Sequence, residues 1–158
     1  MFPFAHMGIP LIPFLAVRRD PLDYRLLLLG SLHPYIIHKP LGHLVLSENN
    51  GRIFAHTILF SVIVLILALR FRRLLPLSLG ISFHQFLDLM YLDPEGALWP
   101  IAGPFRSTDF QLEQWFEAVL EPPVLAGEII GIAAILLTAF YIGLQRPGAL
   151  ARLLRTGR

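Results

Sequence analysis

From Ile53 to Leu69 (IFAHTILFSVIVLILAL) the chain runs for 17 residues with His56 as its only titratable side chain, and Arg70, Arg72 and Arg73 close the run. A helix that is apolar all round has no face for water; it belongs in a large core or in a bilayer. Two further runs, Leu74 to Leu92 and Val124 to Leu144, have nearly the same character. The 158 residues allow one compact domain, with 55% hydrophobic and 15% charged residues, against about 45–50% and about 25% in soluble domains. At a mean hydropathy of +0.63, most of the surface must face something other than water. The solvent that fits is a bilayer, whose core of about 30 Å takes about 20 helical residues.

Two earlier segments are less regular. Met1 to Val17 carries Pro3, Pro10 and Pro13, and Leu26 to Leu46 is interrupted by Gly30, Pro34, Lys39, Pro40 and Gly42. Both predict kinked, broken or re-entrant helices. Irregular backbone at membrane depth is tolerated only where protein buries it or it lines a wet cavity, so these breaks mark where a site should be sought. The first segment does not read as a signal peptide, because Arg18 and Arg19 follow its apolar stretch. The expected fold is all-α: one integral membrane domain over 1–158, a polytopic transmembrane helix bundle of about five segments, the first two kinked or broken.

Basic residues orient such a bundle. With the N-terminus outside, ten of the 13 fall inside (Arg18, Arg19, Arg25, Arg70, Arg72, Arg73, Arg146, Arg152, Arg155, Arg158) and three outside (Lys39, Arg52, Arg106). A multi-pass protein of the cell membrane with a cytoplasmic C-terminus follows. The same clustering between apolar runs argues against nucleic acid as the partner of a chain with pI about 9.4. The basic tail at 145–158 either lies along the inner surface or is solvated and frayed. The loop at about 93–122 falls outside. Within it, Thr108 to Gln111 fits a capping box, and Phe110, Leu112, Trp115, Phe116, Val119 and Leu120 recur at helical spacing. A short interfacial amphipathic helix is expected there, as a cover or as a lid, with Trp99 and Trp115 as anchors.

The absence of cysteine excludes disulfides, iron–sulfur clusters, thiolate zinc sites and Cys nucleophiles, so a metal would need His, Asp or Glu. All six histidines (His6, His33, His38, His43, His56, His84) fall in the first 84 residues. In the expected topology most of them gather toward one outer layer. His84-x-x-x-Asp88 and Arg52-x-x-x-His56 each place two groups on one helix face. Ionisable groups at such depth pair, bind metal or face a cavity. For His84 and Asp88 the readings are a metal site, a structural hydrogen bond or another cofactor; His6 is a ligand or a polar interfacial residue, and His43 is solvated. Arg52 either snorkels or recognises a phosphate through its planar guanidinium. Glu128 is a supporting base or an ion-pair partner of Arg52. Gly127-x-x-x-Gly131 permits close helix packing but is a pattern frequent by chance.

Four stretches, in order, resemble one family: Phe4-Ala5-His6; Gly30-Ser31-Leu32-His33-Pro34-Tyr35-Ile36-Ile37-His38; Arg52-Ile53-Phe54-Ala55-His56-Thr57; and His84-Gln85-Phe86-Leu87-Asp88. They are similar to the small membrane-bound, metal-dependent hydrolases, including the LexA-regulated inner-membrane hydrolases. That family shows an N-terminal His, a Gly-Ser-Leu-x-Pro-Asp-x-x-Asp type segment, Arg-x-x-x-His-Ser/Thr and His-x-x-x-Asp. The resemblance covers most of residues 1 to 92. It implies a divalent metal, for which this chain offers His6, His38, His56, His84 and Asp88; the expected catalytic residues are Arg52, to stabilise developing negative charge, and Tyr35 or Glu128, the latter outside the resemblance, to orient the nucleophile. Tyr35 and His38 stand where the family has aspartates, which shifts the expected metal from Mg or Mn toward Zn. The expected activity is hydrolysis of a lipid or lipid-linked ester, a phosphoester included, near the outer leaflet. Membrane lipid and that substrate are the expected partners, beside a homo-oligomer or membrane complex. The rival expectations are a haem-binding electron-transfer subunit and a noncatalytic membrane scaffold subunit.

Overall fold

The computed structural model describes residues 3–16, 22–38, 54–103 and 112–158. Regular structure among them is helical throughout, with no strand. The first apolar segment folds as α1 (Pro3–Gly8) and α2 (Ile12–Ala16), joined by a 3-10 turn at Ile9–Leu11. Pro3, Pro10 and Pro13 each fall in the first turn of one of these pieces. There a missing amide forfeits no hydrogen bond, so the prolines set joints in a continuous rod.

α3 (Tyr24–His33) starts at Asp23, whose carboxylate accepts from the amides of Arg25 at 3.1 Å and Leu26 at 3.4 Å. It passes into a π-helical turn at Pro34–His38. The cause is local, because Pro34 has no amide for the Gly30 carbonyl four residues back. His33 Nδ1 donates to that carbonyl at 3.2 Å, while its ring stacks on Phe60.

α4 (Ile58–Arg70) and α5 (Leu75–Leu87) form an antiparallel pair through a 3-10 turn at Arg72–Leu74. Both are shorter than the apolar runs that encode them. α4 begins only after Thr57, whose hydroxyl accepts from the Phe60 amide at 3.1 Å and donates to the Phe54 carbonyl at 2.6 Å. His56 therefore sits in the 3-10 turn Phe54–His56 and not on α4; Arg52, its expected partner four residues back, lies outside the described residues. α5 ends at Leu87 because Leu89 adopts a left-handed backbone (φ 56°). For a residue with a Cβ that conformation costs about 1–2 kcal/mol. A 3-10 turn at Met90–Leu92 and α6 (Pro94–Ala97) replace the expected helical continuation. The remaining helices are α7 (Leu112–Val119), α8 (Pro122–Tyr141) and α9 (Ala149–Thr156). α7 is the helix expected in the long loop; Thr108 to Gln111 and the Trp115 side chain lie outside the described residues.

Two close crossings hold the bundle. Gly30 on α3 lies against the Leu77 carbonyl, and Gly80 on α5 against the Leu27 carbonyl, so a Cβ at either would overlap backbone. The register rises together, from Leu27 beside Gly80 to Ser31 beside His84, and α3 and α5 run in parallel. α1 and α8 also run in parallel. Glu128 meets Phe4 and Ala5 at the start of α1, and Gly131 lies against the Phe4 carbonyl, Ala5 and Gly8. Gly131 of the Gly127-x-x-x-Gly131 pattern thus serves a real approach of two backbones.

Polarity is inverted relative to a water-soluble domain. Only Val64 and Ala68 of α4 are buried, while Ile63, Ile66 and Leu69 are exposed. α8 turns Gly127, Glu128, Gly131, Ala134 and Thr138 inward and Ile129, Leu136, Leu137 and Phe140 outward. The interior meanwhile holds His6, Ser31, His56, Thr57, His84 and Gln85. Among the described residues one helix, α8 with 20 residues, is long and apolar enough to cross a membrane; Pro3–Leu15 and Ile58–Arg70 are shorter apolar helices. The turns at His56 and after Asp88 account for part of the lost length.

Candidate metal centre

The donor side chains are delivered by three separate pieces of local structure. His6 lies on α1, whose start is held by α8: the Glu128 carboxylate accepts the amides of Phe4 and Ala5, both at 3.1 Å. A carboxylate at a helix N-terminus is favoured by the unpaired amides and the helix dipole. Glu128 thus docks the start of α1, just before His6, onto α8. His56 is carried by the turn before α4, and Gln85 grips that turn. The Gln85 side-chain amide donates to the carbonyls of Ala55 at 3.3 Å and Thr57 at 3.0 Å, on either side of the histidine. His84 and Asp88 come from the last turn of α5 and its cap.

The four groups converge. His6 Nε2 lies 3.1 Å from Asp88 Oδ1; His84 Nε2 lies 3.1 Å and His56 Nε2 3.5 Å from Asp88 Oδ2. The Nε2 atoms of His84 and His56 are 3.3 Å apart. All three imidazoles are buried, and Asp88 is 13% exposed. His6, His84 and Asp88 form a group that could hold a metal ion.

The chemistry of the donor set can be tested against that role. His84 Nδ1 donates to the Ser31 carbonyl at 2.7 Å, so in the neutral ring the Nε2 lone pair faces His56 and Asp88. An imidazole lone pair 3.1 Å from a carboxylate oxygen is repulsive unless a cation, a proton or a metal, lies between them. Donors at about 2.0–2.1 Å around a tetrahedral ion lie about 3.3 Å apart, close to the 3.1 Å that separates His6 and His84 each from Asp88. A backbone or side-chain partner on the far ring nitrogen is also what fixes a metal-binding histidine. Besides Ser31 for His84, the Tyr35 hydroxyl stands 3.3 Å from His6 Nδ1. The Tyr35 ring meets the rings of His6 and His84 edge-on at 5.5 Å. The donor set of His6, His84 and Asp88 fits a metal ion.

Of the residues singled out in the sequence, His6, His56, His84 and Asp88 come together and Tyr35 adjoins them. Glu128 holds the amides of Phe4 and Ala5 at the start of α1. The backbone of His38 ends the π-helical turn, but its side chain lies outside the described residues, as do Arg52 and His43 entirely. Sequence reasoning missed the Ser31 carbonyl and Gln85. Gln85 carried a usable signal, being the one side-chain amide in the run from Leu74 to Leu92; a polar group there needs partners. No protein-family model, curated protein or solved structure matches this chain.

Proposed function

We propose that this chain is a polytopic membrane hydrolase of the family it resembles, with a Zn-preferring metal centre near the outer leaflet that acts on a lipid or lipid-linked ester. The observation that carries this reading is the convergence of three buried imidazole nitrogens and one carboxylate from three separate stretches of chain. Three nitrogens to one carboxylate favour Zn over the harder Mg or Mn. A bound divalent ion would lower the pKa of a coordinated water and polarise a phosphoryl or acyl oxygen. The protein's own part is positional. Ser31 and Tyr35 hold the far nitrogens of His84 and His6, Gln85 holds the turn of His56, and Glu128 holds α1. Arg52 supplies the cation for negative charge developing on the substrate, and His38 a further donor.

The lipid substrate is argued from the surroundings. Asp88, the least buried of the four donors, is bracketed by Phe86, Leu89 and Tyr91, all exposed. The crossing of five alternating segments is supported by direction: α1 parallel to α8, α3 parallel to α5, α4 antiparallel to α5. The short helices extend through their 3-10 and π turns, and thinning of the bilayer meets the remainder. Haem is disfavoured, since axial histidines must face each other across a macrocycle, whereas His84 and His56 Nε2 stand 3.3 Å apart.

Elemental analysis of detergent-purified protein tests the reading, with wild type beside His56→Ala and His84→Ala. Stoichiometric metal in wild type, lost or sharply reduced in both variants, is expected, together with chelator-sensitive cleavage of a lipid ester or phosphoester. Wild-type protein that neither retains metal nor takes it up on titration overturns the proposal.

A further inference from the structure

At the end of the bundle opposite the histidines, the C-terminal helix is fastened to the start of α3. The Tyr24 amide donates to the Gly157 carbonyl at 2.9 Å, and Arg25 Nη1 to the Leu154 carbonyl at 2.8 Å. Gly157, with φ 81°, packs against the Asp23 carboxylate where a side chain would not fit. α9 is therefore a docked element and not a frayed tail. The parallel run of α3 and α5 brings the start of α5, with Arg72 and Arg73, to the same end. α8 ends there as well, leading through Arg146 into α9.

Charge at this end is one-sided. Asp23 is paired with Arg25 at 2.8 Å. Arg72, Arg73, Arg146, Arg152, Arg155 and Arg158 are all exposed, and none has a carboxylate partner among the described residues. Leu150 and Leu154, one helical turn apart on α9, are 58% and 64% exposed. Arg152 and Arg155 project from the other side of that helix. An exposed leucine ridge backed by unpaired arginines matches an interfacial helix seated at the boundary between headgroups and acyl chains.

We infer that this end of the protein binds an anionic phospholipid surface, with Leu150 and Leu154 entering the acyl boundary and the arginines of α9 taking lipid phosphates. Guanidinium stays charged and forms paired hydrogen bonds with phosphate oxygens. Arg25 is not among these groups, because Asp23 and the Leu154 carbonyl already engage it. The inference rests on the bilayer reading and is independent of the metal centre. Attraction to an anionic leaflet strengthens binding about fivefold per arginine.

The chain has no cysteine, so a single fluorophore can be placed cleanly. Leu150→Cys, labelled, is reconstituted as full-length protein in mixed phosphatidylcholine–phosphatidylglycerol vesicles, and quenching by doxyl-labelled phosphatidylglycerol is compared with doxyl-labelled phosphatidylcholine. Leu137→Cys, on the exposed face of α8, reports insertion. Stronger quenching at Leu150 by the anionic lipid is expected. That preference should fall by about 25-fold when Arg152→Gln and Arg155→Gln are combined. Quenching at Leu137 with none at Leu150, or with equal quenching there by both lipids, overturns this inference and leaves the bilayer reading standing. No quenching at Leu137 overturns both, and the metal content of the same sample reports separately on the candidate centre.

Discussion

Gln85 and Ser31 separate two ways of supporting a ligand. Gln85 acts through its side chain, so Gln85→Leu removes both hydrogen bonds to the turn that carries His56 while keeping the volume. Loss of such outer support typically weakens metal binding about 10–100-fold. That fall is the expected result of a competition titration against a chelating dye, with the helical circular dichroism retained. Ser31 acts through its carbonyl, while its hydroxyl donates to Leu27 within α3 at 3.0 Å. Ser31→Ala should therefore leave metal affinity at the wild-type value; a comparable fall would show that the backbone contact is not what holds His84. The difference also explains what could be read in advance. His6, His56, His84 and Asp88 were legible because an ionisable group in an apolar run calls for an explanation. A backbone carbonyl looks alike at every position, and the Glu128 carboxylate gave no sign that its partners would be amides of α1.

At the scale of elements, the helices are held by backbone contact at glycine and by caps. Gly80→Ala and Gly131→Ala would each force a Cβ into a neighbouring helix's backbone, and overpacking of this kind costs about 1–3 kcal/mol. Ala133→Leu, on the exposed face of α8, should cost almost nothing, and thermal unfolding in detergent would distinguish them. Asp23 gives a second test at the α3 cap. Arg25 holds its carboxyl below the ordinary value of 3.8, mainly by a side-chain hydrogen bond that outweighs desolvation. A carboxylate with a lowered pKa stabilises the fold fully above its unfolded value and loses that contribution as pH falls through the folded one. Asp23→Ala should thus destabilise by about 1 kcal/mol at neutral pH, and the gap to wild type should close in acid below 3.8. A gap independent of pH would assign the effect to packing against Gly157. Helical class and the N-terminal joints were legible in the proline and apolar patterns. The lengths of α4 and α5 were not, since Thr57 and Leu89 stop them inside runs that hydropathy alone would continue.

For the whole molecule, direction and charge point the same way. α1 and α8 are parallel, α3 and α5 are parallel, and α9 joins the end of α8 to the start of α3, so the joined ends of α3 and α8 share one side. That side carries the unpaired arginines; Asp93 and Glu95 follow α5 at the histidine side, and Glu117 and Glu121 precede α8. The apolar runs and the arginine count made this arrangement readable in outline, because both act additively along the chain. Which segments would meet depended on glycine contacts between distant residues, which no local pattern encodes. The orientation can be decided with two single cysteines in the cysteine-free chain. Glu95→Cys, exposed beyond α5, should react with an impermeant maleimide applied to intact cells, and Gln145→Cys, exposed beyond α8, only after the membrane is opened. The reverse pattern would invert the topology and move the candidate centre to the cytoplasmic leaflet, out of reach of the proposed outer-leaflet substrate. Labelling of both positions from outside would break the alternation of segments itself. Only the expected pattern puts the histidine side at the outer surface and the arginines against the leaflet that holds most anionic lipid.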